Sequence, residues 1–278
     1  VSDKSKIEWT DATWSVVTGC TKVSEGCRNC YIERTPPFRI EGRRFDGPDI
    51  GATTGVRLHA NRLELPLRWR KPRRIFVNSL ADLFHDDVPD DFIVQVFARM
   101  WWAPQHTFQV LTKRHARMRS LLPRLEERLR AIESDLSLVD CPTPLTWPLP
   151  NVWLGVSVES QKWADLRIPA LLETPAAVRW ISAEPLLGPV DLSAWLKPCP
   201  LCDGWGERHR PLHVPASDPM DRYLGRCDGC GGTGGWGLGW VVCGGESGPG
   251  ARPPHPDWFR SLRDQCAAAG VPLHLKMF

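Results

Sequence analysis

The chain has 278 residues, with 35 Lys and Arg against 32 Asp and Glu, 42% hydrophobic residues and 24% charged, so disorder is excluded as its main state. A net charge of +3 is too small to demand a polyanionic partner. No stretch approaches the roughly 20 apolar residues of a membrane span. The charged opening Val1–Thr10 lacks a signal-peptide core, so a cytoplasmic protein without a membrane partner is expected.

In chain order, a first strand is expected near Trp14–Val17, then a tight cysteine group, then short runs rich in Val, Ile, Phe and Trp. These are Arg74–Val77, Thr107–Leu111, Val152–Val158, Val178–Ser182, Trp240–Cys243 and Val271–Leu275. Between them the spacing predicts helices over Asp90–Trp102, Ala116–Leu138 and Asp257–Ala269, with Pro123 the one discordant residue in the second. Alternating strands and helices predict an α/β fold, a partial or complete parallel β/α (TIM-like) barrel. Residues 1–196 and 240–278 would build the barrel, with a helical insertion at about 116–150 and a Gly-rich cysteine module inserted at 197–239.

Polar residues gather just after these strands: Asn78, Lys113 and Arg114, Ser157 and Glu159, Glu184, then Gly244, Gly245, Glu246 and Ser247, and Lys276. The C-terminal strand ends are where parallel barrels keep their sites, although turns and helix caps use the same residue types.

Ten cysteines in a chain of this kind read as metal ligands or reactive thiols before disulfides. Cys199, Cys202, Cys227 and Cys230 form two copies of Cys-x-x-Cys-x-Gly-x-Gly with 24 residues between the pairs. Four thiolates can close one structural zinc site, the basis of a zinc-ribbon-like module. The repeat resembles those of DnaJ-type chaperones over these eight-residue units only.

Cys20, Cys27 and Cys30 leave six and then two residues between them. Three thiolates in one loop can hold three irons of a 4Fe-4S cluster and leave the fourth open to another ligand. The same loop could build a structural zinc site with a fourth ligand such as His59 or His85, or a catalytic zinc with water.

The loop resembles the cluster loop of the radical S-adenosylmethionine (SAM) superfamily, which follows the first strand of a partial barrel. That superfamily's usual loop has three residues where this chain has six, and an aromatic where this chain has Asn29, with Tyr31 after Cys30 instead. Ile7–Trp14, Phe76–Phe84, Leu111–Arg114, Trp153–Glu159, Ala183–Pro189 and Gly244–Arg252 are similar to the phage-associated three-cysteine-motif family, whose functions are largely unassigned. The resemblance implies a 4Fe-4S cluster on Cys20, Cys27 and Cys30 that cleaves SAM with an electron from a donor protein or reductant. It implies SAM contacts from Asn78, Ser157, Glu159, Gly244, Gly245, Glu246 and Ser247, and substrate contacts from Lys113, Arg114, Glu184 and Lys276.

The run Arg68-Trp-Arg-Lys-Pro-Arg-Arg74 interleaves an aromatic with five cations and reads either as a nucleic-acid contact or as a solvated loop. The 14 tryptophans are expected to be mainly core or barrel wall. The sequence thus points to a radical SAM-like enzyme of unknown substrate, with nucleic-acid modification or repair among the expectations. The alternative is a non-enzymatic, zinc-dependent protein that binds nucleic acid or a partner protein.

Overall fold

The computed structural model describes residues 2–135, 143–196 and 237–276 and two short strands at 207–209 and 223–226. Strand β1 (Ala12–Trp14) opens the fold and is followed by a lobe containing β2 (Val17–Thr18), helix α1 (Pro36–Ile40), β3 (Arg57–Leu58) and α2 (Leu65–Arg68). Alternation then sets in: β4 (Arg74–Val77), α3 (Asp90–Trp101), β5 (Thr107–Thr112), α4 (His115–Asp135), β6 (Val152–Ser157), α5 (Gln161–Leu172) and β7 (Val178–Ala183). After an antiparallel pair, β8 (Glu207–His209) and β9 (Tyr223–Arg226), the chain returns as β10 (Trp240–Cys243), α6 (Pro256–Ala268) and β11 (Leu273–Leu275).

Seven strands form one sheet in the order β1-β4-β5-β6-β7-β10-β11, with every neighbouring pair parallel. The sheet curls into a half-barrel and is not closed by hydrogen bonds between β1 and β11. Its curvature is evident at Trp9, whose ring meets Phe76 of β4 at 4.8 Å, Trp180 of β7 at 5.4 Å and Trp240 of β10 at 5.7 Å. One side chain can touch those three strands only from inside a concave face. Across the open edge His274 of β11 stands 3.4 Å from Glu8.

Strand alternation separates two cores. The outward residues Ile75, Val77, Phe108, Val110, Leu154, Val156, Ile181 and Val241 belong to the main cluster with Val96 and Phe97 of α3, Leu121 and Leu125 of α4, and Ile168 of α5. Burial on both faces is why these strands read as near-continuous apolar runs. The inward residues Phe76, Trp180 and Val242 join Trp9 in a second cluster that fills the bottom of the half-barrel. Above it the inner face turns polar at Ser157 and Ser182.

Two expectations change in detail. The strand expected at Trp14–Val17 ends at Trp14, and Val17 starts a separate antiparallel pairing with Leu58. Asn78 marks the break: its N–H makes the last ladder bond, to the Trp14 carbonyl (2.9 Å), and its side-chain Oδ1 then accepts from the Val17 N–H (3.0 Å). Helix α4 carries Pro123 in its interior, and burial of Met118, Leu121, Leu122, Leu125 and Leu129 along one stripe outweighs the lost backbone bond. Of the inserted module, β8 and β9 are described. Cys199, Cys202, Cys227 and Cys230 lie outside the described residues.

A three-cysteine cavity at the strand ends

The loop after β2 is shaped by two glycines. Gly19 has φ +97°, and a β-carbon there would stand 1.7 Å from the Gly55 carbonyl, so no other residue fits. Gly26 lies against the side chain of Glu159, where a β-carbon would meet Cγ at 2.4 Å. Between them Cys20 is held by its N–H to Thr54 Oγ1 (3.0 Å). Cys27 closes one 3-10 turn, and the Cys30 N–H donates back to its carbonyl (3.3 Å), so the two-residue spacing becomes a single tight turn.

The three cysteines line one cavity of about 400 Å³ above the aromatic floor. Its wall includes eight other residues expected from the sequence: Asn78, Lys113, Ser157, Glu184, Gly245, Glu246, Ser247 and Lys276. Tyr31, Asp82 and Ser182 also line it, and Trp9, Phe76 and Leu111 form its base. Gly244 lies just behind the wall, where a β-carbon would come 3.4 Å from the Glu184 carboxyl carbon. Glu159 and Arg114 stand behind the cysteine loop instead of facing the cavity.

Glu159 is fully buried, and its oxygens accept from Ser24 Oγ (2.8 Å) and Arg167 Nη1 (2.7 Å) and face Lys113 Nζ at 3.2 Å. Burial alone would raise its carboxyl, but Lys113 and Arg167 outweigh that and lower it. Arg114 pairs with Asp82 at 3.3 Å, donates to the Thr21 carbonyl and places Nη1 3.8 Å from Cys20 Sγ. Burial, reinforced by Asp82, pushes the Cys20 thiol up to about 12 although Arg114 opposes it. Burial likewise raises Cys30. Burial therefore favours the neutral thiol at both positions.

The opposite wall clasps the same loop. Glu246 accepts from Arg252 (2.5 Å) and from Asn29 Nδ2 (2.8 Å), Arg252 Nη2 reaches the Glu25 carbonyl (3.0 Å), and Arg34 Nη2 donates to the Ser247 carbonyl (2.9 Å). Glu25 also accepts from Trp163 Nε1 (2.8 Å). Glu184 and Lys276 pair at 2.5 Å on the rim.

Asn78 is the only non-glycine residue with positive φ (58°) among the described residues. The Val17 N–H fixes its Oδ1, which leaves Nδ2 buried on the cavity wall without a partner. Trp9 Nε1 is a second buried, unpartnered donor of a cavity-lining residue. Buried donors are normally satisfied, so both are unusual among the residues that line the cavity.

His59 and His85, the expected alternative ligands, are engaged elsewhere: His59 Nε2 with Thr18 Oγ1 (2.9 Å), His85 Nε2 with Thr21 Oγ1 (2.8 Å). Among the described residues no group of three or more His, Cys, Asp or Glu side chains is placed so as to hold a metal ion. The basic run lies at the other end of the sheet: Arg74 begins β4, whereas Asn78 follows its last residue. Trp69 is covered by Arg73 at 5.0 Å and His106 at 6.2 Å.

Ser24, Asn29, Arg167 and Arg252 are not apparent as site residues from the sequence, whereas Asp82 follows Asn78 and Ser79 in the polar group after β4.

Fold and cavity together define a parallel half-barrel protein with a three-cysteine cavity at the C-terminal ends of its strands. Residues 4–278 match the model of a family described as "Protein of unknown function (DUF5131)", and the chain belongs to that family. No curated protein and no solved structure matches it. No described helix is long and apolar enough to cross a membrane.

Proposed function

We propose that the protein is a radical SAM-like enzyme in which Cys20, Cys27 and Cys30 hold a 4Fe-4S cluster facing a cavity for SAM and substrate. The observation that carries this reading is the gathering of all three cysteines and the unpartnered Asn78 amide on one cavity at the C-terminal strand ends. The donor chemistry fits such a cluster: cysteine thiolates are its usual protein ligands, and three of them on one loop line one cavity and would leave one iron open. When bound, the cluster would supply one electron that cleaves the SAM sulfonium into methionine and a 5'-deoxyadenosyl radical able to abstract a hydrogen atom.

The chain's own residues bind, orient and exclude water. Asn78 Nδ2 offers a fixed donor. Glu184 and Lys276 present opposite charges on the rim, suited to a substrate or cofactor with polar groups. Ile7, Trp9, Phe76 and Leu111 keep the base dry. The four cysteines of the inserted module belong to the proposal as a structural zinc site. The substrate is unassigned, with nucleic-acid modification or repair among the sequence-based expectations.

The test is anaerobic purification with iron, sulfide and zinc analysis and an assay for 5'-deoxyadenosine formed from SAM and a reductant. The expected result is about four irons and one zinc per chain, with SAM cleavage abolished in Cys27→Ala. About two zincs with no iron after attempted reconstitution would overturn it and favour a zinc-dependent binding protein.

A further inference from the structure

We propose that Lys113, supported by Arg114 and Arg167, compensates the negative charge of the cluster on the three cysteines and so sets its reduction potential, an inference that rests on reading the cavity as a cluster site. The charges beside the sulfurs are unbalanced. Lys22, Asp82, Glu159 and Arg167 are buried, and the Lys113 and Arg114 side chains are only 19% and 8% exposed. Four cations thus stand with two buried carboxylates, and the one further carboxylate on this group, Asp86 at 4.0 Å from Arg114, is largely exposed. The nearby Glu246–Arg252 and Glu184–Lys276 pairs are each neutral.

The surplus is aimed at the cysteines. Lys113 lines the same cavity as the three cysteines, Arg167 shares Glu159 with it behind the loop, and Arg114 contacts Cys20 Sγ at 3.8 Å. One carboxylate, Glu159, serves both Lys113 and Arg167. Arg167 is fully buried over the face of Trp163 (3.9 Å), with Nε and Nη2 lacking any hydrogen-bond partner. An under-compensated buried cation is costly unless an anion completes the site. A 4Fe-4S core on three thiolates is such an anion and becomes more negative on reduction. The cations therefore stabilise the reduced state more than the oxidised one. Lys113 is the residue of this group that both lines the cavity and faces the shared carboxylate, so it is a positioning and charge-compensating residue, distinct from the ligands.

The test uses the full chain, reconstituted anaerobically without SAM, with iron and sulfide analysis and a potentiometric titration followed by electron paramagnetic resonance. One buried charge at an effective dielectric of about 20 sizes the effect. K113Q should lower the ratio of reduced to oxidised cluster at a fixed potential about tenfold, equivalent to about 59 mV for one electron. K113R should titrate with the parent, and E159Q should shift the other way. A K113Q cluster that titrates with the parent, or a K113R cluster displaced as far as K113Q, would overturn the proposal. Should K113Q fail to hold the cluster, E159Q decides alone: a higher ratio supports the proposal, and an unchanged or lower one overturns it. Loss of iron from all three variants would make these side chains packing elements and also overturn it. A parent protein that binds no iron would instead remove the reading on which the inference rests.

Discussion

Trp180 lies across Gly155, its neighbour on the adjacent strand, so closely that a β-carbon at 155 would stand 2.5 Å from Cε2 of the indole. The missing side chain lets the ring sit under the cavity, where it packs 5.0 Å from Trp240 and 5.4 Å from Trp9. The glycine thus sets the height of the aromatic floor.

Gly155→Ala should therefore overpack the floor and cost about 1–3 kcal/mol. Urea denaturation should show a lower midpoint with an unchanged slope, and near-ultraviolet circular dichroism should report a disturbed tryptophan cluster. A midpoint equal to that of the parent would mean that Trp180 moves without cost.

Asn78 combines a left-handed backbone with a side chain that bonds the Val17 N–H. Asn78→Gly keeps the backbone relaxed but loses that bond, leaving a buried N–H at a cost of about 1–3 kcal/mol. Asn78→Ala loses the same bond and adds the strain of a β-carbon at positive φ, about 1–2 kcal/mol. The alanine variant should thus be the less stable of the two by roughly that increment, as measured by chemical denaturation. Equal stabilities would show that the turn relaxes.

The cysteine loop and most of the cavity wall were legible in the sequence because both are local patterns. The cysteines stand within one loop, and polar residues follow apolar runs. The supports of the loop were not legible, because they join residues remote in sequence: Ser24 to Glu159 across 135 positions, Asn29 to Glu246 across 217, Arg252 to Glu25 across 227. The break after Trp14 was missed for a related reason. Ser15 and Val16 look compatible with a strand, and the group that marks its end is the side chain of Asn78.

The basic run yields a prediction through its place in the fold. Arg73 is spent on Trp69 and the Asp3 carbonyl, and Arg74 pairs with Asp11, which leaves Arg68, Arg70 and Lys71 exposed. If these three contact phosphates, a triple glutamine variant should flatten the slope of log affinity against log salt by about 2.7 on duplex DNA. Fluorescence anisotropy over a salt series measures it. On the proposed cluster reading, iron content should match that of the parent, because the run and the cysteines lie at opposite ends of β4. An unchanged slope would assign the run to solvent, and a loss of iron would contradict the geometry.

The clasp between Glu246 and the cysteine loop should make stability depend on pH with a definite sign. Burial alone would raise the Glu246 carboxyl, but hydrogen bonds from Arg252 and Asn29 outweigh it and hold the group at about 2. A carboxyl lower in the folded than in the unfolded state stabilises fully above its unfolded value of about 4.3. That contribution is lost as the pH falls toward 2. Glu246→Gln removes the charge-assisted bonds, worth about 1.5–3 kcal/mol, and should lower the melting temperature at pH 7. The difference between variant and parent should shrink from pH 5 down to pH 3, since protonation weakens the clasp in the parent as well. Thermal melts across that range provide the measurement. A gap that stayed constant with pH would show that Glu246 stabilises the loop through packing and not through its charge.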